Sequence, residues 1–276
     1  MVNANVVNVR TDANGSAPLI ATISAGEKYT VYGQKASPTG ILWLLIKTGD
    51  KYGYVSSSYV SYDGKLMGAK AYLTFDDGPS QNTKKILDIL DQSGVKGTFF
   101  VIYHSDSEEL YKDIVKRGHT LALHSYTHDY SNIYRSEQAF FTDLDKLSNY
   151  LGGITGVYPK IMRFPGGSSN SISRKYNKGI LTRLTASVTQ KGHRYFDWNV
   201  DSGDADDVTV DKSKLIGNIK ARLGNHTSAV ILMHDSATKT TTVEALPEII
   251  NMLREKGYEI LPITMDTPDV HHTVCN

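Results

Sequence analysis

Five short stretches hold most of the residues able to do chemistry. Thr74-Phe75-Asp76-Asp77-Gly78-Pro79 sets two carboxylates side by side before a chain-reversing Gly-Pro. Adjacent acids repel, so burying both requires a compensating cation. Taken alone, the stretch reads as a turn or a helix N-cap. In His124-Ser125-Tyr126-Thr127-His128 the two histidines stand four residues apart, a spacing that lets two imidazoles converge on one ion. Surface or core histidines give the same spacing. Combined with one carboxylate of Asp76-Asp77, the pair makes a two-His, one-carboxylate set that leaves positions open for water and substrate, as catalytic metal sites do. Cys275 is the single cysteine. An intramolecular disulfide and a cysteine-based zinc site are therefore excluded, and any metal must rely on His and carboxylate ligands.

The other three stretches supply polar groups of different kinds. Arg163-Phe164-Pro165-Gly166-Gly167 places a guanidinium before a Gly-Gly loop whose backbone N–H groups can approach a ligand closely. Asp197-Trp198-Asn199-Val200-Asp201-Ser202-Gly203-Asp204 is rich in acids, and Ile231-Leu232-Met233-His234-Asp235 ends an apolar run in a histidine suited to proton transfer. Singly, each is as consistent with a structural arginine, a turn or a satisfied histidine. His104, His119, His193, His226, His271 and His272 join no cluster and read as structural or exposed.

The elements that must position these groups fall into two patterns. Residues 1–61 show short β-type runs at 6–9, 19–23, 29–32, 43–47 and 52–55, separated by turn-forming Gly, Asn, Asp and Pro, which predicts a small all-β barrel or sandwich. Residues 62–68, with Gly64 and Gly68, read as a linker. From residue 69 strands alternate with helices, the pattern of an α/β domain with mainly parallel strands. Strands are expected at 69–75, 98–103, 120–123, 160–164, 194–200, 229–233 and 258–261, with helices over 80–94, 107–116 and 137–151. Seven or so such units predict a complete or partly open barrel. In such folds reactive residues sit at the carboxyl ends of strands, where all five polar stretches fall.

Composition removes several function classes. The 276 residues carry 30 Lys and Arg against 29 Asp and Glu, a net charge of +1, which leaves no global excess to attract a nucleic-acid backbone or an anionic membrane. The longest purely apolar run, residues 41–46, is far below the roughly 18 residues that span a bilayer. The first twenty residues lack a basic segment followed by an apolar core, which does not decide the compartment.

In this order, each at an expected strand end, the five stretches resemble the motifs of the polysaccharide deacetylase family, the NodB-homology carbohydrate esterases. The resemblance covers about residues 69–262. Asn8-Val9-Arg10, Gly53-Tyr54-Val55 and Tyr59-Val60 are similar to the ends of a bacterial SH3-type domain. The fold implied is a distorted (β/α) barrel at 69–265 with a tail at 266–276, preceded by an SH3-like barrel at 1–61. By the same resemblance Asp77, His124 and His128 hold one divalent metal ion, zinc first, with cobalt or nickel as alternatives. Asp76 is the general base, paired with Arg163, and His234 is the general acid. The backbone N–H of Gly166, at a position the family often gives to Tyr, would join the metal in holding the oxyanion. Leu232 would line an acetyl pocket, with Asp201 and Trp198 as further substrate contacts. The fourth motif departs from the family pattern. Asp204 is followed by Ala205 where the family often has Trp, so Asp204 is the first choice as partner of His234 and Asp201 its rival.

The activity implied is hydrolytic removal of N-acetyl groups from N-acetylglucosamine-type residues of a cell-wall polysaccharide. The SH3-like module favours peptidoglycan, and with it an extracellular or wall-associated location. Two alternatives stay open: an O-acetyl esterase acting on xylan or another acetylated polymer, and a wall-binding protein without catalysis.

Overall fold

A computed structural model describes residues 1–64, 68–224 and 226–276. The chain divides into two compact units, residues 1–71 with 223–228 and 251–259, and residues 72–222 with 229–250 and 260–276. The linker expected at 62–68 includes residues 65–67, outside the described residues. The domain limits at 61, 69 and 265 stand as proposals.

In the first unit, five strands form an antiparallel sheet in the order β2-β1-β5-β4-β3: β1 (Val6–Arg10), β2 (Leu19–Ser24), β3 (Val31–Ala36), β4 (Leu42–Thr48) and β5 (Lys51–Ser56). Strand alternation sends Val7, Val9, Leu44, Ile46 and Val55 inward, where Ile23 joins them in one core. This is the expected SH3-like architecture. β3 starts two residues later than the apolar run 29–32 predicts and extends through Gln34 and Lys35. It lies at the sheet edge, where polar side chains reach water and carry no apolar signal.

An eight-stranded sheet, most of it within the second unit, has the order β10-β9-β8-β7-β6-β12-β11, with β13 (Tyr258–Ile260) pairing to β6. The strands are β6 (Ala69–Asp76), β7 (Thr98–Ile102), β8 (Thr120–Ser125), β9 (Ile161–Met162), β10 (Arg194–Tyr195), β11 (Val200–Asp201) and β12 (Ser228–His234). The described registers for β6-β7, β7-β8, β8-β9, β9-β10 and β11-β12 are all parallel. The two ends of this path, β10 and β11, are only residues 196–199 apart in sequence, so the sheet curls into a half-barrel. The expected single strand over 194–200 is instead these two short ones. Its middle carbonyls are diverted: Phe196 O and Asp197 O accept from the Arg163 guanidinium at 2.9 and 3.0 Å, and Asp197 N–H donates to Val270 O. No continuous ladder can run through them.

Period-two alternation also decides what faces the inside of the curl. Tyr72, Phe100, Ala122, Ile161 and Val230 pack there in one cluster. The same faces run upward to Thr74 and Asp76 on β6, His124 on β8, Arg163 just past β9, and Leu232 and His234 on β12. On the opposite faces Leu73, Phe75 and Phe99 are fully buried, as are Ile86 and Leu90 of α1 (Thr83–Gln92) and Ile114 of α2 (Glu108–Lys116). The remaining helices are α3 (Tyr130–Ile133), α4 (Glu137–Thr155), α5 (Ile180–Gln190), α6 (Lys212–Leu223) and α7 (Thr240–Glu255).

Candidate active site

Three ligand atoms converge at the carboxyl ends of β6 and β8. Asp77 Oδ1 lies 3.5 Å from His124 Nε2 and 3.3 Å from His128 Nε2, and among the described residues this is the one cluster fit to hold a metal ion. His124 Nδ1 donates to Arg163 O at 2.9 Å. That bond fixes the tautomer and leaves the Nε2 lone pair facing Asp77. Burial holds His124 below its ordinary pKa against the raising charges of Asp76 and Asp77, which favours the neutral form that a metal ligand requires. Asp77 Oδ1 is buried and has no hydrogen-bond partner. An orphaned carboxylate oxygen between two imidazole nitrogens fits a divalent cation, since a buried acceptor without a partner is otherwise costly.

The backbone at these ligands is unusual. Among the described residues, Asp77 and His128 are the two non-glycine residues with positive φ, at 68° and 52°, a conformation that persists only when the surroundings enforce it. For His128 the enforcement is visible. Asp143, on the buried face of α4, accepts from Ser125 Oγ (2.7 Å), Tyr126 N (2.6 Å), Thr127 N (3.0 Å) and Thr127 Oγ1 (2.6 Å), and Ser125 Oγ in turn accepts from His128 N at 2.9 Å. One carboxylate thus shapes the whole 125–128 turn.

Asp76, adjacent in sequence to Asp77, has a different partner. Its Oδ1 accepts from Arg163 Nη1 at 2.8 Å, while Oδ2 lies 4.0 Å from His124 Nε2. Arg163 is fully buried and spends its fork on Asp76, Thr74 Oγ1, Phe196 O and Asp197 O. The cation that buried Asp76 requires is therefore present, and the half-buried Asp77 remains free to bind an ion.

His234 ends β12. Its Nδ1 and its backbone N each lie 2.7 Å from one oxygen of Asp204, and Thr242 Oγ1 donates to the same carboxylate. Burial works against a charged ring, but the hydrogen bond and charge of Asp204, with the charges of Asp76 and Asp77 behind them, raise His234 to about 9. On Asp204 burial is likewise outweighed by its bonds to His234 and Thr242, which hold the carboxyl below its ordinary value. Asp201 does not take this position: its Oδ1 accepts from Gly203 N at 2.7 Å. Leu232 is buried opposite Asp201 in the β11-β12 register.

The Gly166-Gly167 loop is built around positive φ of 75° and 78°. The Gly166 N–H finds no acceptor among the described residues. A Cβ on Gly167 would come within 2.9 Å of Trp198 Cη2, and one on Gly166 within 2.6 Å of Tyr130 Oη. Trp198 therefore sits against the loop. Asp197 pins the loop by accepting from Ser168 N and Ser168 Oγ, and the tail adds His272 N–H to the same carboxylate. Burial and the charges of Asp77 and Asp76 raise the Tyr130 phenol to about 12.

The structure thus brings Asp76, Asp77, His124, His128 and Arg163 together and sets Asp204 on His234, while Asp201 and Leu232 occupy neighbouring positions on paired strands. Sequence reasoning missed Thr74, Asp143 and Tyr130. Asp143 had a signal: it interrupts the apolar stripe of Phe140, Leu144 and Leu147 on the buried face of α4.

Comparison with known proteins agrees with this architecture. The polysaccharide deacetylase family model matches residues 63–181, and the bacterial SH3 domain model matches residues 5–61. The chain is similar to a peptidoglycan-N-acetylglucosamine deacetylase of Bacillus cereus, 35% identical over 68% of this chain and 67% of that one. A Bacillus subtilis relative is 36% identical over 70% of this chain and 66% of its own length. Among solved structures, the catalytic domain of a peptidoglycan N-acetylglucosamine deacetylase from Eubacterium rectale is 44% identical and superposes with a TM-score of 0.73, over 75% of this chain and 94% of that one.

Proposed function

Because the chain belongs to the polysaccharide deacetylase family, we propose that it is a metal-dependent hydrolase that removes N-acetyl groups from N-acetylglucosamine-type residues of peptidoglycan. The observation that carries this reading is the orphaned Asp77 Oδ1 between His124 and His128 Nε2. It is flanked by two groups whose partners differ in sign: Asp76 on a cation and His234 on an anion. Asp77, His124 and His128 would hold the ion, with zinc the first choice and cobalt or nickel as alternatives. A divalent cation at this place polarises a carbonyl and lowers the pKa of water.

The remaining work belongs to side chains. Asp76, oriented by Arg163, takes the proton of the attacking water at its free Oδ2. The Gly166 N–H, without an acceptor among the described residues, donates to the oxyanion as the carbonyl carbon becomes tetrahedral. An amide nitrogen leaves only when protonated, and His234 Nε2 delivers that proton. Asp204 holds Nδ1 and keeps the ring charged until it acts. Leu232 is assigned to the acetyl methyl group, with Trp198 and Asp201 beside the sugar. The bacterial SH3 domain at 5–61 and the peptidoglycan deacetylases among the relatives support peptidoglycan as the polymer and the cell wall or exterior as the location. Among the described residues no helix is long and apolar enough to cross a membrane.

The test is acetate release by the zinc-, cobalt- or nickel-loaded protein from peptidoglycan, chitin oligomers and acetyl-xylan. Fastest release from peptidoglycan is expected. Turnover of acetyl-xylan alone would replace this reading with an esterase.

A further inference from the structure

Tyr130 is used by none of the steps above, yet its phenol stands at the oxyanion loop. Its Oη occupies the space a side chain on residue 166 would need, 2.6 Å from the position of a Gly166 Cβ, and its ring packs edge-on against His128 with centroids 5.6 Å apart. Oη makes no hydrogen bond to any described residue and is not sealed from solvent. A phenol body gripped by Tyr134 and His128 with an idle hydroxyl beside an idle Gly166 N–H is an arrangement of two donors with no acceptor among the described residues.

Resting on the reading of the site as an N-deacetylase, we propose that the Tyr130 hydroxyl is a second donor to the substrate carbonyl oxygen, acting beside the Gly166 N–H on the oxyanion. The absence of a side chain at 166 is what admits it. The positive φ of 75° at Gly166 and the 2.6 Å approach select glycine twice over, once by backbone and once by the phenol. A phenol is a neutral donor at neutral pH, so it strengthens its bond as the carbonyl gains charge without competing with His234 for the proton-delivery role. Loss of one such donor costs up to about 10²–10³ in kcat elsewhere. Here a cation and the Gly166 N–H would share the charge, so about tenfold is expected.

The experiment is Tyr130→Phe in the full-length, zinc-reconstituted protein, with N-acetylglucosamine oligomers as substrate and acetate as an equilibrium probe. Expected are a kcat lower by about tenfold or more, a KM within about threefold, one zinc retained, and acetate binding by calorimetry weakened several-fold. An unchanged kcat overturns the proposal. So does a loss confined to KM, which would make Tyr130 a contact to a sugar hydroxyl, or a loss of zinc, which would make it a prop for His128. A second route uses Gly166→Ala, whose Cβ displaces Oη. Its kcat loss should be smaller in the Tyr130→Phe background than in the wild type, because the shared backbone strain cancels in the cycle; additive losses overturn the idea. Wild-type protein that releases no acetate would overturn the deacetylase reading and this inference with it, whereas active wild type matched by Tyr130→Phe removes the inference alone.

Discussion

Asp143 touches no proposed ligand, yet its removal should cost both stability and metal. Asp143→Ala strips four donors of their acceptor at once: Ser125 Oγ, Tyr126 N, Thr127 N and Thr127 Oγ1. Hydrogen bonds to a charged group contribute about 1.5–3 kcal/mol each, but the four share one carboxylate and are not additive. Thr127 is exposed and can turn to water, whereas Ser125 is buried. A loss of about 3–4 kcal/mol is therefore expected rather than the full sum. The ligand effect runs through Ser125 Oγ, which receives the His128 N–H at 2.9 Å and helps keep that residue at φ 52°. Loss of an outer partner of a ligand typically weakens metal binding about 10–100-fold. Asp143→Asn keeps one acceptor oxygen, either for Ser125 and Tyr126 or for both Thr127 donors, and should fall about midway. Urea unfolding of the metal-free protein reads the first effect, and competition with a calibrated zinc chelator reads the second. A folded Asp143→Ala variant with wild-type zinc affinity would refute the argument that the α4 carboxylate sets the ligand turn.

Asp76→Asn should keep its metal and lose about 10²-fold or more in kcat, as expected for a general base, whereas Asp77→Asn should lose the metal; the reverse pattern in metal analysis would exchange their roles. His234→Ala should abolish turnover of N-acetyl substrates while sparing much of the activity on aryl acetates, whose leaving groups need no proton; equal losses on both would remove it as the acid. In the metal-free protein the His234 ring should titrate near 9, above its ordinary 6.5. A raised folded value means stabilisation that is complete below about pH 6.5 and fades as pH rises through about 9. Asp204→Asn should bring the titration down by more than a unit and flatten stability across that window, measured by NMR of the ring and by urea unfolding at several pH values. An unmoved titration would contradict the pairing.

Much of the scaffold was legible because strand and helix periods are local. The runs at 69–75, 98–103, 120–123 and 229–233 became β6, β7, β8 and β12, and the polar residues that end them line the candidate site. Two kinds of information were not local. The run 194–200 looked like one strand, but Arg163, 33 and 34 residues earlier, takes the carbonyls of Phe196 and Asp197 and breaks the ladder there. A sequence cannot show which distant guanidinium will claim a backbone oxygen. Asp143 and Tyr130 gain their importance only when α4 and the short α3 pack beside the 125–128 turn. The choice between Asp204 and Asp201 as the carboxylate on His234 also needed three dimensions, since β11 ends at Asp201 and the chain must turn through Gly203 before a carboxylate reaches His234 Nδ1.

The central claim is that Asp77, His124 and His128 hold a divalent ion on which deacetylation depends. Its most direct test is acetate release from N-acetylglucosamine oligomers, measured after exhaustive chelation and again after one equivalent of zinc, cobalt or nickel is restored, in the wild type and in His124→Ala. The account predicts activity lost on chelation and recovered on addition in the wild type, with neither stoichiometric binding nor recovery in the folded variant. Full activity in protein shown to be metal-free, or a folded His124→Ala variant that still binds one tight equivalent and turns over, would contradict it.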